Sequence, residues 1–502
     1  MFPDMHGYVI NKSERSEFKS LAVVRHLSIR NFRGIKRLDW APRLGINALI
    51  GPGDMGKTSI IEAIEMALTP GAPNVSDTDF YGLDVSKNIC IEVTVGDLSD
   101  LLLDLEANLP LRGFDATAGT VHPEPSGRLE PVLTVRLSAN GDLDVRRQLV
   151  RPVPDGEEQA DLPRLVRGAL VPLRLRTMAD HYLSLGERSP ATRIAEEALA
   201  TKPALAAAFR AARQAFASNW MGSLAPVVQA LDQIARDVGV PRAIEAQAQL
   251  DLRTSRWGDA RIALHDKHGL PLRTMGTGSC RLLGAGLQAR AAGERSITLI
   301  DELEHGLEPY RIARLLHHLG SKASEARQQV FLTTHSPVVL RELSAAQIRV
   351  VRRDPVTGEV RVRNADTEPE GQALLRACPE AFLSPSVLVC EGKTEQGLVR
   401  GLDLHRGESG GPTMAFLGVT TCDGHGYPSA VQRARALQAL GYRVAVLRDD
   451  DLPQDPAEAE FLKGGGRVFH WEKGRKTETQ RIHTAKAAVA EDRGCAAVTA
   501  SG

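Results

Sequence analysis

The stretch Leu44–Leu68, LGINALIGPGDMGKTSIIEAIEMAL, decides how the chain is to be read. Its opening residues are apolar and run straight into a glycine-rich loop, as a strand does at the edge of a sheet. Its last ten, SIIEAIEMAL, repeat apolar side chains at helical spacing. Between them, Gly51–Thr58 fits G-x-x-x-x-G-K-[ST], with the strand before it and the helix after it that this loop requires. The backbone N–H groups of such a turn, backed by a helix N-terminus, form an anion cradle. The cradle residues are Gly51, Gly53, Asp54, Gly56, Lys57, Thr58 and Ser59. Lys57 is placed to reach the β- and γ-phosphates of a nucleotide, and the Thr58 hydroxyl to ligate Mg²⁺.

Downstream, residues 296–309 read SITLIDELEHGLEP. An apolar strand that ends in Asp301-Glu302 delivers carboxylates to the strand's C-terminal edge, where α/β proteins bind ligands. Asp301 would hold Mg²⁺ through water, and Glu302 would polarise the attacking water. Taken alone, this is an acidic helix start; paired with the phosphate loop, it is the second half of a site. One helix and one strand later, FLTTHSP ends a further strand in His335, a position suited to sensing a γ-phosphate.

Around these motifs the texture of the sequence sets the domains. Two strands are expected in 21–50, and others at 88–95 and 131–137, with Pro- and Gly-rich loops at 108–130 and 151–163. Residues 190–237 are Ala-rich and helical, an inserted arm too short for the sustained heptads of a long coiled coil. Strands return at 244–253, 260–265, 296–302 and 328–334. A polar, Pro- and Gly-containing linker follows 353.

From 386 a second alternation of strand and helix begins, the pattern of a parallel α/β sheet. Strand SVLVC leads into Glu391-Gly392-Lys393-Thr394-Glu395, strand TMAFLGV into the glycine-rich VTTCDGHGYP, and strand YRVAVLR into Asp449-Asp450-Asp451. Asp449 and Asp451, two apart, share one side of an extended segment. Carboxylates gathered at strand ends repel unless a hard cation neutralises them, so Glu391, Glu395, Asp449 and Asp451 are candidate ligands for Mg²⁺ or Mn²⁺. Two such ions can activate water against a phosphodiester, with Glu391, Asp449 and Asp451 in the catalytic set.

Composition sets few limits. The 502 residues are 42% apolar and 25% charged, and 62 basic side chains balance 62 acidic ones. Any polyanion must therefore meet a local basic patch. Six scattered cysteines form no C-x-x-C pair, which fits a reducing compartment. No apolar run is long enough to span a bilayer, and a cytoplasmic location is expected.

Together the motifs resemble the ABC-type ATPase head of SMC-like, RecF-like and OLD (overcoming lysogenization defect) proteins. Met275-Gly-Thr-Gly-Ser-Cys-Arg281 resembles that family's signature loop, with Cys280 where the family has Gln. The resemblance implies that Thr277 and Gly278 complete the ATP site of a second subunit and that His305–Pro309 is the D-loop. A Q-loop glutamine is not evident; Gln148 is the candidate. E-G-x-x-E followed by D-x-D resembles the Toprim fold, and the order head then Toprim is that of the OLD family, including the nuclease subunit of Gabija-type defence systems. The chain departs from that family beyond D-x-D, where Glu472 or Glu478 is the candidate late acidic ligand and Lys476 the candidate base or charge.

The expected fold is thus α/β: an ABC-type P-loop head with a helical insertion, then a smaller Toprim-like domain. The expected boundaries are a tail at 1–20, head at 21–150, helical dimerisation insertion at 151–243, head at 244–353, linker at 354–385 and Toprim-like domain at 386–502. The resemblance implies an ATP-regulated DNA endonuclease, a homodimer or larger, with DNA as substrate and a helicase or other defence protein as possible partner. The alternative is an ATP-dependent DNA-binding sensor whose Toprim-like domain no longer cuts.

Overall fold

The computed structural model describes residues 22–71, 73–98, 109–154, 156–163, 166, 170–175, 184–185, 221–238, 240, 243–251, 261–292, 297–326, 328–354, 356–449 and 453–470. The chain divides into two compact units, the first running to residue 343 with 347–362, the second holding 344–346 and the chain from 363.

The first unit opens with strands β1 (Val23–Phe32), β2 (Ile35–Trp40) and β3 (Gly45–Ile50), then helix α1 (Lys57–Leu68). The strands β4 (Ile89–Gly96), β5 (Arg112–Asp115), β6 (Thr120–His122), β7 (Glu130–Ala139), β8 (Val145–Val153) and β9 (Gly156–Asp161) follow. Next come β10 (Leu173–Leu175), β11 (Ser184–Leu185), helix α2 (Met221–Val238), β12 (Gln247–Asp251) and β13 (Arg261–His265). Helix α3 (Thr277–Ala292), β14 (Ile297–Ile300), helix α4 (Pro309–His318), β15 (Gln329–Thr333), helix α5 (Pro337–Glu342), β16 (Ile348–Arg353) and β17 (Val360–Asn364) complete it.

Two large sheets result. One has the order β10-β14-β15-β3-β16-β17, and β10, β14, β15, β3 and β16 are parallel to their neighbours. Its central strands GINALI, ITLI and QVFLT are buried almost throughout, the continuous apolar run that a parallel strand covered on both faces needs. The other has the order β2-β1-β4-β7-β5-β6, with β8 and β9 added beside β7, and its documented pairings are antiparallel. Helix α1 packs against β4, β7 and β1 on one side and β15 and β14 on the other. Ile60, Ile61, Ile64 and Leu68 are accordingly excluded from water, each worth roughly 1.5–3 kcal/mol of burial. This sandwiching fixes the start of α1, and so the loop that precedes it.

Several expectations need correction. Residues 21–50 hold three strands, not two. In Ile35–Trp40 the side chains of Ile35, Leu38 and Trp40 are buried while Lys36, Arg37 and Asp39 face outward, and Arg33-Gly34 is the hairpin turn that pairs Phe32 with Ile35. The segments 108–130 and 151–163 are strand-bearing because edge strands tolerate charge: Arg151 lies opposite Glu158 and ion-pairs with it. The interval 151–243 is not wholly helical. It carries the end of β8, then β9, β10 and β11, and β10 pairs with β14 inside the parallel sheet. Of the Ala-rich arm only α2 is described; 186–220 lie outside the described residues. Gly286 of α3 faces α2 so closely that a Cβ there would stand 2.2 Å from Ile234 Cγ2.

The second unit contains helix α6 (Gly371–Ala377), β18 (Ser386–Cys390), helix α7 (Lys393–Glu408), β19 (Val419–Asp423), helix α8 (Tyr427–Ala439), β20 (Arg443–Arg448), helix α9 (Pro456–Lys463) and β21 (Arg467–His470). Among the described residues its sheet has the order β19-β18-β20-β21, all parallel. The expected linker 354–385 is ordered structure, with β17 and α6 inside it. The strand expected at TMAFLGV begins only at Val419. Before it, Thr413 caps a turn through Phe416 N to its hydroxyl and Leu417 N to its carbonyl, and Phe416 and Leu417 are exposed.

Candidate functional site

Strands β3, β14 and β15 are parallel neighbours, so the loops that follow them leave one edge of the sheet. Those loops carry Gly51–Thr58, Asp301–Glu308 and Thr334–Ser336. In the first, Gly51 has φ 138° and a Cβ there would lie 2.6 Å from the Val351 carbonyl oxygen, so only glycine fits. Gly56 caps α1 at φ 89°. Asp54 also takes a left-handed conformation at φ 59°, one that Asp tolerates better than most residues. Above Gly53 a Cβ would meet nothing within 4 Å, and the backbone there lies open to an anion.

Lys57 is 5% exposed, and its ammonium donates to Gly51 O at 3.0 Å and Pro52 O at 2.6 Å. Burial pulls its pKa down to about 8, against the opposing pull of Asp54 and Asp301. A desolvated ammonium curled onto its own loop is primed to take a phosphate oxygen instead. The Thr58 hydroxyl donates to Asp301 Oδ1 at 3.2 Å. Two groups 243 residues apart thus meet, and a hydroxyl beside a carboxylate fits a hard cation.

Asp301 is held by groups the sequence reading missed. Thr333, 2% exposed, donates its hydroxyl to Asp301 Oδ1 at 2.5 Å and accepts the Glu302 amide at 2.8 Å. Arg174 of β10 stands 3.9 Å from Asp301 Oδ2 and 3.6 Å from Glu65. Glu302 has φ 48° and an exposed side chain 3.8 Å from His305 Nδ1. His335 reaches the same edge. Burial and then the Lys57 charge keep its imidazole below the ordinary histidine range, opposed by Glu304, Glu302 and Asp301. At pH 7 it is therefore a neutral hydrogen-bonding ring.

The loop resembling a signature motif packs on the 305–309 loop of its own chain. A Cβ on Gly278 would stand 2.3 Å from Gly306 O, and one on Gly306 2.4 Å from Thr277 Oγ1. Arg281, 1% exposed, donates to His305 O at 2.9 Å and Asp301 O at 2.7 Å. Cys280, in place of glutamine, is turned inward toward the carbonyls of Leu272 and Met275. Gln148 sits within β8 opposite Arg136 and Asp161, a ladder position in the antiparallel sheet in place of the expected Q-loop.

In the second unit, β18 is followed by a connection to one side and β20 by a connection to the other, so their C-terminal ends flank the switch point where such sheets bind ligands. Glu391 and Asp449 occupy those ends, and the Asp449 amide donates to Glu391 Oε2 at 2.9 Å. Glu395 does not join them. Only 5% exposed, it turns back to accept the Gly392 amide at 2.8 Å, the glutamate half of a helix capping box. Asp423, overlooked in the sequence, ends β19 and binds the His425 amide at 2.9 Å. Among the described residues no three His, Cys, Asp or Glu side chains gather to hold a metal. The expected convergence of 391, 395 and 449 is corrected at Glu395 alone: its carboxylate is held by the Gly392 amide, while Glu391 accepts the Asp449 amide. Asp450, Asp451, Glu472, Lys476 and Glu478 lie outside the described residues.

Two segments match family descriptions. Residues 26–97 match "AAA domain", and residues 227–341 match "AAA domain, putative AbiEii toxin, Type IV TA system". The two halves of the site fall in the two matched segments, each similar to AAA-type ATPase sequence: Gly51–Thr58 lies in the first and Asp301–His335 in the second. The more particular likenesses are short. The DNA replication and repair protein RecF of Lactobacillus acidophilus is 42% identical over 60 residues, 12% of this chain and 16% of that protein. RecF of Nitrosococcus oceani is 49% identical over 41 residues, 8% of this chain and 11% of that protein. The chain thus spans 11% to 16% of the length of these curated relatives. Among solved structures, the Smc head domain of Pyrococcus furiosus bound to the C-terminal domain of ScpA is 12% identical and covers 69% of this chain and 97% of that one, at TM-score 0.42. An Smc head bound to the C-winged helix domain of ScpA is 15% identical, covers 68% and 96%, and has TM-score 0.38. No described helix is long and apolar enough to cross a membrane.

Proposed function

We propose that the chain binds and hydrolyses ATP with Mg²⁺ in an SMC- or RecF-like head and acts on DNA. The observation that carries this reading is the meeting of Thr58 with Asp301, from loops 243 residues apart, beside a buried and desolvated Lys57. Gly51, Gly53, Asp54, Gly56 and Ser59 line the phosphate cradle, and the fixed amides of the loop offset its charge. Thr58 and Asp301 would hold Mg²⁺, which would supply charge screening of the phosphates when bound. Glu302, exposed at the same edge, orients the attacking water and takes its proton, while neutral His335 hydrogen-bonds the terminal phosphate. Thr277 and Gly278 pack on the 305–309 loop of their own chain; by the resemblance of 275–281 to a signature loop, they complete the ATP site of a second copy docked head to head. That makes the working form a homodimer or larger.

The finer part of the proposal concerns the second unit, read as a Toprim-like DNA endonuclease domain of OLD type used against phage or foreign DNA, with a helicase or other defence protein as partner. Support comes from the order of the acidic motifs and from Glu391 and Asp449 flanking the switch point. One observation favours the alternative, a sensor that binds DNA without cutting: Glu395 is spent on a helix cap. Purified protein incubated with supercoiled plasmid and Mg²⁺ or Mn²⁺, with and without ATP, separates the two. Nicking lost in Glu391→Ala and Asp449→Ala supports the nuclease. Equal nicking by wild type and variants, or none alongside intact ATP hydrolysis, rejects it.

A further inference from the structure

The loop after β14 and the loop after β15 are knitted by more than the bonds around Asp301. Leu303 N donates to Thr333 O at 3.0 Å, and Leu303 is buried. One residue on, Glu304 spends both carboxylate oxygens on the other loop: Oε1 accepts the His335 amide at 2.7 Å and Oε2 the Thr334 hydroxyl at 2.7 Å. Thr334 is fully buried, and its hydroxyl also accepts the Ser336 amide at 3.0 Å. Because an ionised carboxylate only accepts, the Thr334 proton must point at Glu304, and the rotamer is locked.

Glu304 therefore fixes the backbone from which His335 projects, and it does so from the loop that carries Gly306. On the other side that loop is held by Arg281 through His305 O and by Thr277 against Gly306. We propose that Glu304 is a positioning residue that couples the 302–308 loop to His335: the other bonds between the two loops end on Thr333, and the Glu304 carboxylate carries a displacement of this loop on to the His335 backbone and so to the phosphate contact. The inference rests on the ATPase reading for its consequence, though not for its geometry.

The test compares wild type, Glu304→Ala and Glu304→Gln in the full chain. A glutamine keeps an oxygen for the His335 amide and an NH₂ group that can donate to Thr334. In Glu304→Ala, kcat for ATP falls about tenfold or more while KM shifts less than about threefold, since misplacing a reacting contact costs turnover more than ground-state binding. Glu304→Gln recovers kcat to within about threefold of wild type. In nucleotide-free protein, hydrogen exchange of the peptide spanning 334–336 speeds up about tenfold in Glu304→Ala and is restored in Glu304→Gln. Unchanged exchange in Glu304→Ala, a loss confined to KM, or a glutamine variant as impaired as alanine overturns the coupling. If wild type hydrolyses no ATP, the preceding reading fails, and the exchange comparison still decides this one.

Discussion

Lys57 offers a pH test of the phosphate site with a magnitude fixed by its surroundings. Burial brings its pKa to about 8, so above pH 8 the nucleotide-free protein increasingly carries a neutral amine. A bound polyphosphate favours the ammonium, so binding must take up a proton wherever the free protein has lost it. Affinity is then nearly flat below pH 8 and falls by about tenfold per pH unit above it; between pH 7.5 and 9 the loss is about eightfold, or ~1.3 kcal/mol. A lysine with its ordinary pKa near 10.4 would give almost no change over the same interval. The assay is equilibrium binding of ADP in EDTA, which removes any metal contribution and any hydrolysis, repeated at several pH values. Lys57→Arg is the internal control: its guanidinium stays charged throughout, so its weaker binding is independent of pH. The same shift has a stability sign. The folded pKa lies below the unfolded one, so the nucleotide-free protein gains stability as pH rises from about 8 toward 10.5. Wild-type affinity that stays flat to pH 9, or that falls equally in Lys57→Arg, refutes the reasoning.

Three further outcomes follow from the same edge of the sheet. Thr333→Val removes the hydroxyl that serves both Asp301 and Glu302; losing a charge-assisted bond and leaving the part-buried Glu302 amide without its acceptor costs about 2–4 kcal/mol, read as a fall in kcat of tenfold or more with a lowered melting temperature. Gly51→Ala places a methyl 2.6 Å from a backbone oxygen at φ 138°; it destabilises the protein by about 2–4 kcal/mol, and differential scanning calorimetry shows no recovery with nucleotide. Asp54→Asn removes a negative charge from the phosphate loop while keeping a side chain that accepts φ 59°; nucleotide binds about fivefold tighter, the ~1 kcal/mol expected of a nearby unit charge in water, and calorimetric titration checks it.

How much of this was legible in the sequence follows from where each signal resides. Gly51–Thr58 could be read because its chemistry, its preceding strand and its following helix are contiguous in the chain. Asp301 and His335 could be read because each ends an apolar run, and strand ends in a parallel sheet share an edge. Thr333, Glu304 and Arg174 could not, since their roles depend on which strands are neighbours: β15 lies between β14 and β3, and β10 lies outside β14. The two threonines just before His335 were the available hint. The strand Ile35–Trp40 was missed because its charged outward face masks a buried one. Glu395 was misread for the opposite reason. A glutamate three residues after a turn glycine carries a local capping signal, and that short-range bond outweighs the shared cation inferred from a distant aspartate.

We propose above that Gly51–Thr58 and Asp301 form one Mg²⁺-nucleotide site. Calorimetric titration of ATP with Mg²⁺ into wild type, Lys57→Ala and Asp301→Asn tests it most directly. Wild type binds saturably, Lys57→Ala at least ~100-fold more weakly for want of a charge-assisted phosphate contact, and Asp301→Asn loses the Mg²⁺ dependence. Equal affinity in all three proteins, or no binding in wild type, contradicts it.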